Sequence, residues 1–405
     1  MAARRSPDIQ ESDLQGFKHF RLLLPALARL HDDGCARDRA GNRKLHFDQY
    51  CALILLYMFN PIVSSLRAIR QASELQKVQR LLGCPRASLG SLSEAARVFD
   101  PDLLAEVIGA LAAELPSIRG DSRLKDFEKI LTLVDGSLLK ALPRITEAMW
   151  VSDDHRAFRL HTHFEVDRHV PVRMTLTDGA NSGLSDEKTV LRSQLLPDRC
   201  YVMDRWYAQF TLFNDIVAAQ SSYVCRVRDN SVFEVEEERT LSGAAREADV
   251  ERDVVARMGL SSKPHARPDH PVRLVIVRVA PHEKRSNRKG NTGAGPSDGL
   301  LRIATNLMDV PAEIIALIYK NRWAIEVFFR FFKHVLGCRH LLSHSPDGIR
   351  IQTYCGIIAC MLISLWTGCR PTLRTYEMIC YFFSGMASEE ELQAHIAGLK
   401  KHDEK

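Results

Sequence analysis

The order of strands and helices between residues 130 and 227 limits the folds open to this chain. Apolar and alternating runs predict strands, and apolar residues at helical spacing predict helices. The predicted elements are, in order, strands at 130–134, 158–166 and 171–177, a helix at 186–196, a strand at 200–203, a helix at 209–220 and a strand at 223–227. We therefore predict an α/β fold built on a mixed sheet.

This order is that of the ribonuclease H-like fold, in which the first and fourth strands are neighbours. Asp135 follows the first strand and Asp204 follows the fourth. The two aspartates are therefore expected side by side, in the crevice where open α/β sheets place their sites. A single aspartate after a strand is more often a turn or helix cap, so the argument depends on the pair. Gly136 would allow backbone or a ligand to come close to Asp135.

The stretch from Ile318 to Gly337 predicts one amphipathic helix. Its polar residues lie on one face: Tyr319, Arg322, Glu326 and Lys333. At about 100° per residue they span a sector of roughly 60°, and apolar side chains cover the opposite side. The carboxylate of Glu326 then points away from the core, where it can hold a metal. The alternative is the solvated face of an ordinary amphipathic helix.

The spacing Tyr319-x2-Arg322-x3-Glu326-x6-Lys333 resembles the signature that closes the catalytic site of IS4-type transposases of the DDE class. Thr305-Asn306-Leu307 ahead of this stretch is also similar to that family. The resemblance implies that Asp135, Asp204 and Glu326 are the catalytic residues. It covers about residues 15 to 345, with two departures. Arg205-Trp206-Tyr207 stands where many relatives have Arg-Gly-Tyr, and Asp186 matches a frequent acidic position only loosely.

A site with three carboxylates has a clear metal preference. Like charges raise one another's pKa, and a divalent cation resolves that conflict. Oxygen ligands from Asp135, Asp204 and Glu326 suit Mg²⁺ or Mn²⁺. Two ions about 3.5 to 4 Å apart would serve both the attacking and the leaving oxygen of a phosphodiester.

Other residues are predicted to contact DNA. Tyr319, Arg322 and Lys333 lie one to two turns from Glu326 and can hold phosphates by charge and hydrogen bonds. Trp206 and Trp323 could stack on an unpaired or flipped base, with core or rim packing as the alternative.

Two histidines and a basic loop complete the candidate residues. His161 and His163 share one side of their strand and are interpreted as structural or close to DNA. The 30 residues from Ser261 to Gly290 hold eight Lys or Arg against two acidic residues, the best phosphate-contacting patch in the chain. Its candidates are Lys284, Arg285, Arg288 and Lys289. A solvated hairpin tip is the alternative.

The sequence divides into three predicted regions. Residues 1–120 read as helices only and match in place the end-recognition domain of the resembled family, with a packing or dimerisation module as the alternative. Residues 121–345 form the predicted catalytic domain, interrupted at 229–299 by a β-rich insertion. Residues 346–405 are predicted helical, and the resemblance implies that they pair two protomers on DNA.

Composition indicates the cellular compartment more clearly than the binding partner. A net charge of +5 on 405 residues is only mildly basic, so charge alone does not indicate nucleic acid. The ten cysteines form no CxxC pair, which favours a reducing compartment and a packing role. The N-terminus does not read as a signal peptide, and the longest apolar run, 355–366, is too short to span a bilayer. The sequence predicts a cytosolic protein without a membrane partner.

The resemblance implies a transposase that binds the terminal inverted repeats of its own element, together with target DNA. It would perform metal-dependent strand cleavage and strand transfer. Two alternatives stay open. One is a metal-dependent nuclease that cuts but does not join, and the other is a catalytically inert DNA-binding relative.

Overall fold

The structure is a computed structural model of the chain. It describes residues 27–28, 30–33, 37–38, 41, 43–115, 121–141, 149–152, 155–179, 182–260, 262–279, 299–334, 341–343 and 345–403. The helices are α1 Leu30–Asp33, α2 Phe47–Phe59, α3 Leu66–Ser73, α4 Gln76–Leu82, α5 Leu89–Val98, α6 Asp102–Glu114, α7 Glu187–Arg192, α8 Phe210–Ala218, α9 Gly243–Glu247, α10 Ala312–Lys320, α11 Trp323–His334, α12 Pro346–Thr367, α13 Leu373–Phe383 and α14 Glu389–Asp403. The strands are β1 Ile130–Ala141, β2 Met149–Ser152, β3 His155–Glu165, β4 Val170–Asp178, β5 Arg199–Met203, β6 Ser222–Arg226, β7 Phe233–Glu238, β8 Val250–Met258, β9 Val272–Arg278 and β10 Leu300–Thr305.

One mixed sheet joins all of these strands. Its order is β2-β3-β1-β5-β6-β10-β9-β8-β7, and β4 pairs with β3. Strands β1, β5 and β6 run parallel to one another, whereas β3 pairs antiparallel with both β1 and β4. The predicted mixed α/β architecture is confirmed, and β1 and β5 are neighbours as expected.

The β-rich insertion continues the same sheet. β10 pairs antiparallel with both β6 and β9, and β9, β8 and β7 follow outward. The apolar run at Val272–Arg278 is buried along most of its length because this strand lies between β8 and β10. The insertion therefore joins the rest of the sheet through β10, and β10 and β6 lie between it and β5.

Two element boundaries differ from the prediction. β1 extends to Ala141, so Asp135 lies within the strand and not at its end. The extension pairs with β3, which supplies hydrogen bonds where the parallel neighbour β5 has ended. The predicted helix at 186–196 is shorter, because α7 ends at Arg192.

The helices of the first hundred residues and those after residue 345 share a core. α12 packs against α2, α5 and α6, and also against β4. The hydroxyl of Tyr376 donates to the carbonyl of Met58 at 2.6 Å. The eight cysteines that the structure describes are buried, as predicted for packing residues. The division of these helices into separate N- and C-terminal units stays a prediction.

α12 is longer than the apolar run predicted from the sequence. Its 22 residues are long and apolar enough to cross a membrane by length and composition. However, 89% of its apolar window is buried within the fold, which is typical of the core helix of a globular protein.

His161 and His163 are structural residues of β3. Both are buried, and the Nε2 atom of His161 lies 2.8 Å from the hydroxyl of Thr177. Burial, reinforced by Arg173 and Arg199, lowers the pKa of His163 to about 3. The imidazole of His163 is therefore neutral in the folded chain near neutral pH.

Neutral burial of His163 predicts acid sensitivity. The unfolded chain takes up this proton near the ordinary histidine pKa of about 6.5, and the folded chain does so only near pH 3. Protonation of His163 therefore favours the unfolded state, and this residue should contribute a drop of about 2 kcal/mol to the free energy of unfolding between about pH 7.5 and pH 5. Urea titrations at both pH values measure this drop. It should shrink in His163→Gln and persist in the exposed control His265→Gln; equal slopes in all three proteins would contradict the assignment.

Candidate active site

The register of β1 and β5 sets two carboxylates side by side. Leu133 pairs with Val202 in the parallel ladder, and the same register carried two residues further puts Asp135 next to Asp204. Neighbouring strands lie about 4.8 Å apart, so these two residues are first neighbours. Every second residue of a strand faces the same side, so Asp135 and Asp204 share the face of Leu133 and Val202. That face packs in the core cluster to which α11 contributes Ile325.

Asp135 is held in an unfavourable electrostatic position. Its Oδ1 atom accepts a hydrogen bond from the amide of Gly136 at 2.8 Å. Burial and the neighbouring charge of Asp204 nevertheless raise the pKa of Asp135 to about 7, against the opposing effect of the Gly136 amide. Carboxylates with raised pKa values cluster at functional sites, and either a proton or a bound cation would relieve the repulsion here.

Asp204 ends β5 and caps the turn that follows. Its Oδ1 atom accepts from the amide of Trp206 at 2.7 Å, at the start of the 3₁₀ turn Arg205–Tyr207. The thiol of Cys225 lies 3.3 Å from the carbonyl oxygen of Asp204. One carboxylate oxygen of Asp204 therefore stabilises the turn Arg205–Tyr207. This turn holds Asp204 at the carboxyl end of β5.

The predicted single helix over Ile318–Gly337 is wrong in its continuity. The chain forms α10 and α11 with a turn at Asn321 and Arg322. The side-chain amide of Asn321 donates to the carbonyl of Leu317 at 3.0 Å, and the amide of Arg322 bonds to Tyr319, three residues back. The side chain of Asn321 competes for a helical carbonyl, and the next hydrogen bond is of the 3₁₀ type. Together they explain the break between the two helices. Tyr319 and Arg322 therefore approach the site from a different segment than Glu326.

Arg322 links the two carboxylate groups of the site. Its Nη2 atom lies 2.6 Å from Oε1 of Glu326, and its charge also acts on Asp135. The guanidinium carbon lies 6.0 Å from the ring centroid of Tyr319. Burial lowers the pKa of Lys333, and the charge of Asp135 opposes this shift. Tyr319, Arg322 and Lys333 thus interact electrostatically with the two aspartates, and Glu326 is linked to them through Arg322.

A fourth carboxylate lies at the site and was not predicted. Glu187, in the first turn of α7, is buried and forms an ion pair with Arg159. The hydroxyl of Tyr207 also donates to it, although burial still raises the pKa of Glu187. The acidic residue noted in the sequence, Asp186, instead caps α7 through the amides of residues 188 and 189. The available signal was Gly136, whose missing side chain makes room for Glu187.

Gly136→Ala should destabilise the fold for this reason. A Cβ atom there would lie 2.7 Å from the carboxyl carbon of Glu187, which Arg159 and Tyr207 hold in place. Overpacking of this kind costs about 1–3 kcal/mol. Chemical denaturation measures the loss, which should be smaller when the same change is made beside Glu187→Asp. Gly109→Ala is the matched control, because an added Cβ there meets nothing within 4 Å; equal losses at both glycines would contradict the account.

The donor set fits a hard divalent cation only in part. Among the residues that the structure describes, no group of three or more His, Cys, Asp or Glu side chains could hold a metal ion as it stands. Asp135 and Asp204 fit one, because a cation would relieve the repulsion that raises the pKa of Asp135. Glu326 could join them only after Arg322 releases it. The predicted three-carboxylate site therefore stays a prediction.

The predicted DNA-contacting residues divide into two groups. Trp206 is 51% exposed and Trp323 55% exposed, so neither is a core residue, and the ammonium of Lys188 lies 4.6 Å from the ring centroid of Trp206. Stacking of these exposed rings on a base stays a prediction. The basic candidates of the insertion lie outside the described residues: Lys284, Arg285, Arg288 and Lys289.

Comparison with known proteins shows the class to which this site belongs. Residues 126–362 match the family described as "Transposase DDE domain". The match includes Asp135, Asp204 and Glu326, and it covers more than half of the chain. The chain belongs to this family, and the prediction of a DDE-type transposase is confirmed.

Named relatives agree with this class. "Putative transposase y4zB" of Sinorhizobium fredii (strain NBRC 101917 / NGR234) is 24% identical over 265 residues, which cover 65% of this chain and 67% of the relative. "Probable transposase for insertion sequence element IS5377" of Geobacillus stearothermophilus is 24% identical over 294 residues, which cover 70% and 68% of the two chains. "Putative transposase for insertion sequence element IS4SA" of Synechocystis sp. (strain ATCC 27184 / PCC 6803 / Kazusa) is 38% identical over 71 residues, 16% of this chain and 21% of the relative.

Proposed function

We propose that this chain is a transposase of the IS4 type that binds the terminal inverted repeats of its own insertion sequence. It cleaves DNA strands and transfers them to target DNA in a metal-dependent reaction. The observation that carries the proposal is the register that places Asp135 beside Asp204, in a chain that belongs to the DDE family. The Tyr319, Arg322 and Glu326 spacing and the insertion-sequence names of relatives support the IS4 type.

The catalytic core is proposed to be ribonuclease H-like. The order β4-β3-β1-β5-β6, with an antiparallel first half and a parallel second half, supports this assignment. Ligands bind open α/β sheets in crevices outside the carboxyl ends of parallel strands. Asp204 occupies that position on β5, and Asp135 lies beside it on β1.

Asp135, Asp204 and Glu326 would hold Mg²⁺ or Mn²⁺, with two ions per site. Such ions activate a water or a 3′-hydroxyl and neutralise charge on the leaving oxygen. Arg322 stands between Glu326 and Asp135, so its release from Glu326 would free a guanidinium to hold a DNA phosphate. Tyr319 and Lys333 would position the same backbone by hydrogen bonding and charge.

The other parts of the chain would bind and arrange the double-stranded DNA. The helices before residue 120 are proposed to recognise transposon ends, and those after residue 345 to pair two protomers in the DNA complex. Trp206 and Trp323 would stack on bases near the scissile bond, and the basic loop of the insertion would contact phosphates. The reaction would take place in the bacterial cytosol.

The test uses the full chain and the DNA that flanks its coding region. Labelled duplexes carrying the flanking inverted repeats are incubated with Mg²⁺, and pre-nicked ends are supplied together with a target plasmid. Cleavage at the repeat boundary and joined products are the expected results. Cleavage without joining would indicate a nuclease, and binding without either product would indicate a catalytically inert relative; both would overturn the proposal.

A further inference from the structure

A fully buried ion pair lies in the β-rich insertion, away from the candidate carboxylates. Arg273 on β9 and Asp253 on β8 are 2% and 6% exposed at their side chains. The guanidinium is bidentate on the carboxylate, with Nε and Nη2 each 2.8 Å from one oxygen. Val255 is the direct partner of Arg273 in the ladder, so the pair is a diagonal contact across the two strands.

The remaining guanidinium nitrogen of Arg273 forms hydrogen bonds outside the insertion. Its Nη1 atom donates to the backbone carbonyls of Leu307 at 2.8 Å, Met308 at 3.2 Å and Val310 at 2.5 Å. These carbonyls belong to neither a helix nor a strand, so no regular hydrogen-bond ladder satisfies them. Arg239 also donates to Met308, at 2.5 Å. The insertion therefore fixes the path of residues 307–310.

That segment determines where the catalytic helices begin. It joins β10 to α10, and α10 leads through the Asn321 turn to Glu326 on α11. On its other side Asn306 accepts from the amide of Tyr223 on β6. The direction in which α10 leaves the sheet is thus set between β6 and the buried arginine.

A buried ion pair of this kind is not explained by stability alone. Well-packed apolar residues often replace such a pair without loss, whereas removal of one partner leaves an uncompensated charge. Apolar replacements here would, however, leave the carbonyls of Leu307 and Val310 without this donor, while Met308 would keep Arg239. The geometry of the pair therefore serves the 307–310 segment as well as the insertion.

We propose that Arg273 and Asp253 are positioning residues that brace the 307–310 segment and so place Arg322 and Glu326 against Asp135 and Asp204. This inference rests on the proposed function. It gives the β-rich insertion a role in forming the active site, in addition to any contact with DNA.

The test compares three variants of the full chain with the wild type. Asp253→Leu combined with Arg273→Met removes both charges together, so neither is left unpaired. Arg273→Lys keeps the charge but loses the planar fork that spans several acceptors, and it serves if the double variant does not fold. Arg252→Met is the matched control, because Arg252, next to Asp253 on β8, is exposed and, within the part of the chain that the structure describes, pairs with Glu238 on β7 and not with residues 307–310.

Two measurements decide the outcome. Backbone amides of residues 307–320 should exchange hydrogen about 10-fold faster in the double variant and in Arg273→Lys than in the control Arg252→Met. The reason is that the hydrogen bonds from Arg273 to this segment are lost or weakened. Single-turnover cleavage at saturating DNA should slow about 100-fold, the effect of a misplacement of about 1 Å, while the dissociation constant for the DNA end stays unchanged. Equal exchange in the double variant and the control would overturn the brace. If the wild type cuts no DNA, the proposed function fails, and the exchange measurement still tests the brace.

Discussion

Asp135→Asn is expected to abolish strand cleavage and at the same time to stabilise the metal-free protein. The amide keeps the shape of the carboxyl group but loses the charge that a divalent ion requires, and metal-assisted charge stabilisation is worth several kcal/mol. A loss of about 1000-fold or more in the single-turnover rate follows. Binding to the DNA end should persist, because Asp135 lies on the sheet and contributes no cation to the DNA contact.

The gain in stability has a separate cause. A pKa raised to about 7 means that the ionised carboxylate of Asp135 opposes folding above that pH, by up to about 4 kcal/mol. Asp135 is still partly exposed, so about half of that value is a realistic gain for the uncharged variant. Urea unfolding at about pH 8 without metal measures it.

Metal binding provides the readout that does not depend on DNA. Mn²⁺ or Mg²⁺ should raise the unfolding temperature of the wild type by mass action, and this increase should disappear in Asp135→Asn. Asp126→Asn, an exposed aspartate in the turn before β1, should behave as the wild type in every assay. An Asp135→Asn protein that cleaves at the wild-type rate would remove Asp135 from the mechanism.

The sequence predicted the sheet well because its strands are marked by local apolar and alternating runs of residues. β5 and β6 are short apolar runs buried on both faces, which the composition alone reveals. The order of elements predicts that β1 and β5 are neighbours, and this adjacency puts Asp135 beside Asp204. These features depend on neighbours in sequence and on the few topologies that such an order allows.

The features that were missed depend on contacts distant in sequence. The break between α10 and α11 is caused by one side chain, Asn321, within a stretch that has perfect helical periodicity. Glu187 reaches the site because Gly136 leaves space and Arg159 supplies a counter-charge 28 residues away. The brace at Arg273 joins strands to a loop more than 30 residues further on. Periodicity carries no information about such contacts.

Glu326→Gln is the complementary experiment, and it is expected to lose cleavage for a different structural reason. Oε1 of Glu326 lies 2.6 Å from Nη2 of Arg322, so Glu326 must exchange that partner for a cation before it can serve as the third ligand. The amide cannot bind a divalent ion as strongly, and a loss of about 1000-fold in cleavage is expected.

The stability change should have the opposite sign to that of Asp135→Asn. Glu326 is 34% exposed at its side chain, and a partly solvated ion pair contributes no more than about 1 kcal/mol. Glu326→Gln should therefore be slightly less stable than the wild type without metal, whereas Asp135→Asn is more stable. Glu377→Gln, on the exposed face of α13, is the matched control and should leave both cleavage and stability unchanged.

Cleavage and stabilisation by Mn²⁺ together distinguish a third metal ligand from a structural ion pair. If Glu326→Gln loses both cleavage and the stabilisation by Mn²⁺, Glu326 acts with Asp135 and Asp204, and Arg322 is its partner only in the metal-free state. If Glu326→Gln retains both, the pair with Arg322 is structural. The third carboxylate would then have to be Glu187, which already lies beside Gly136 and would need to exchange Arg159 for the ion.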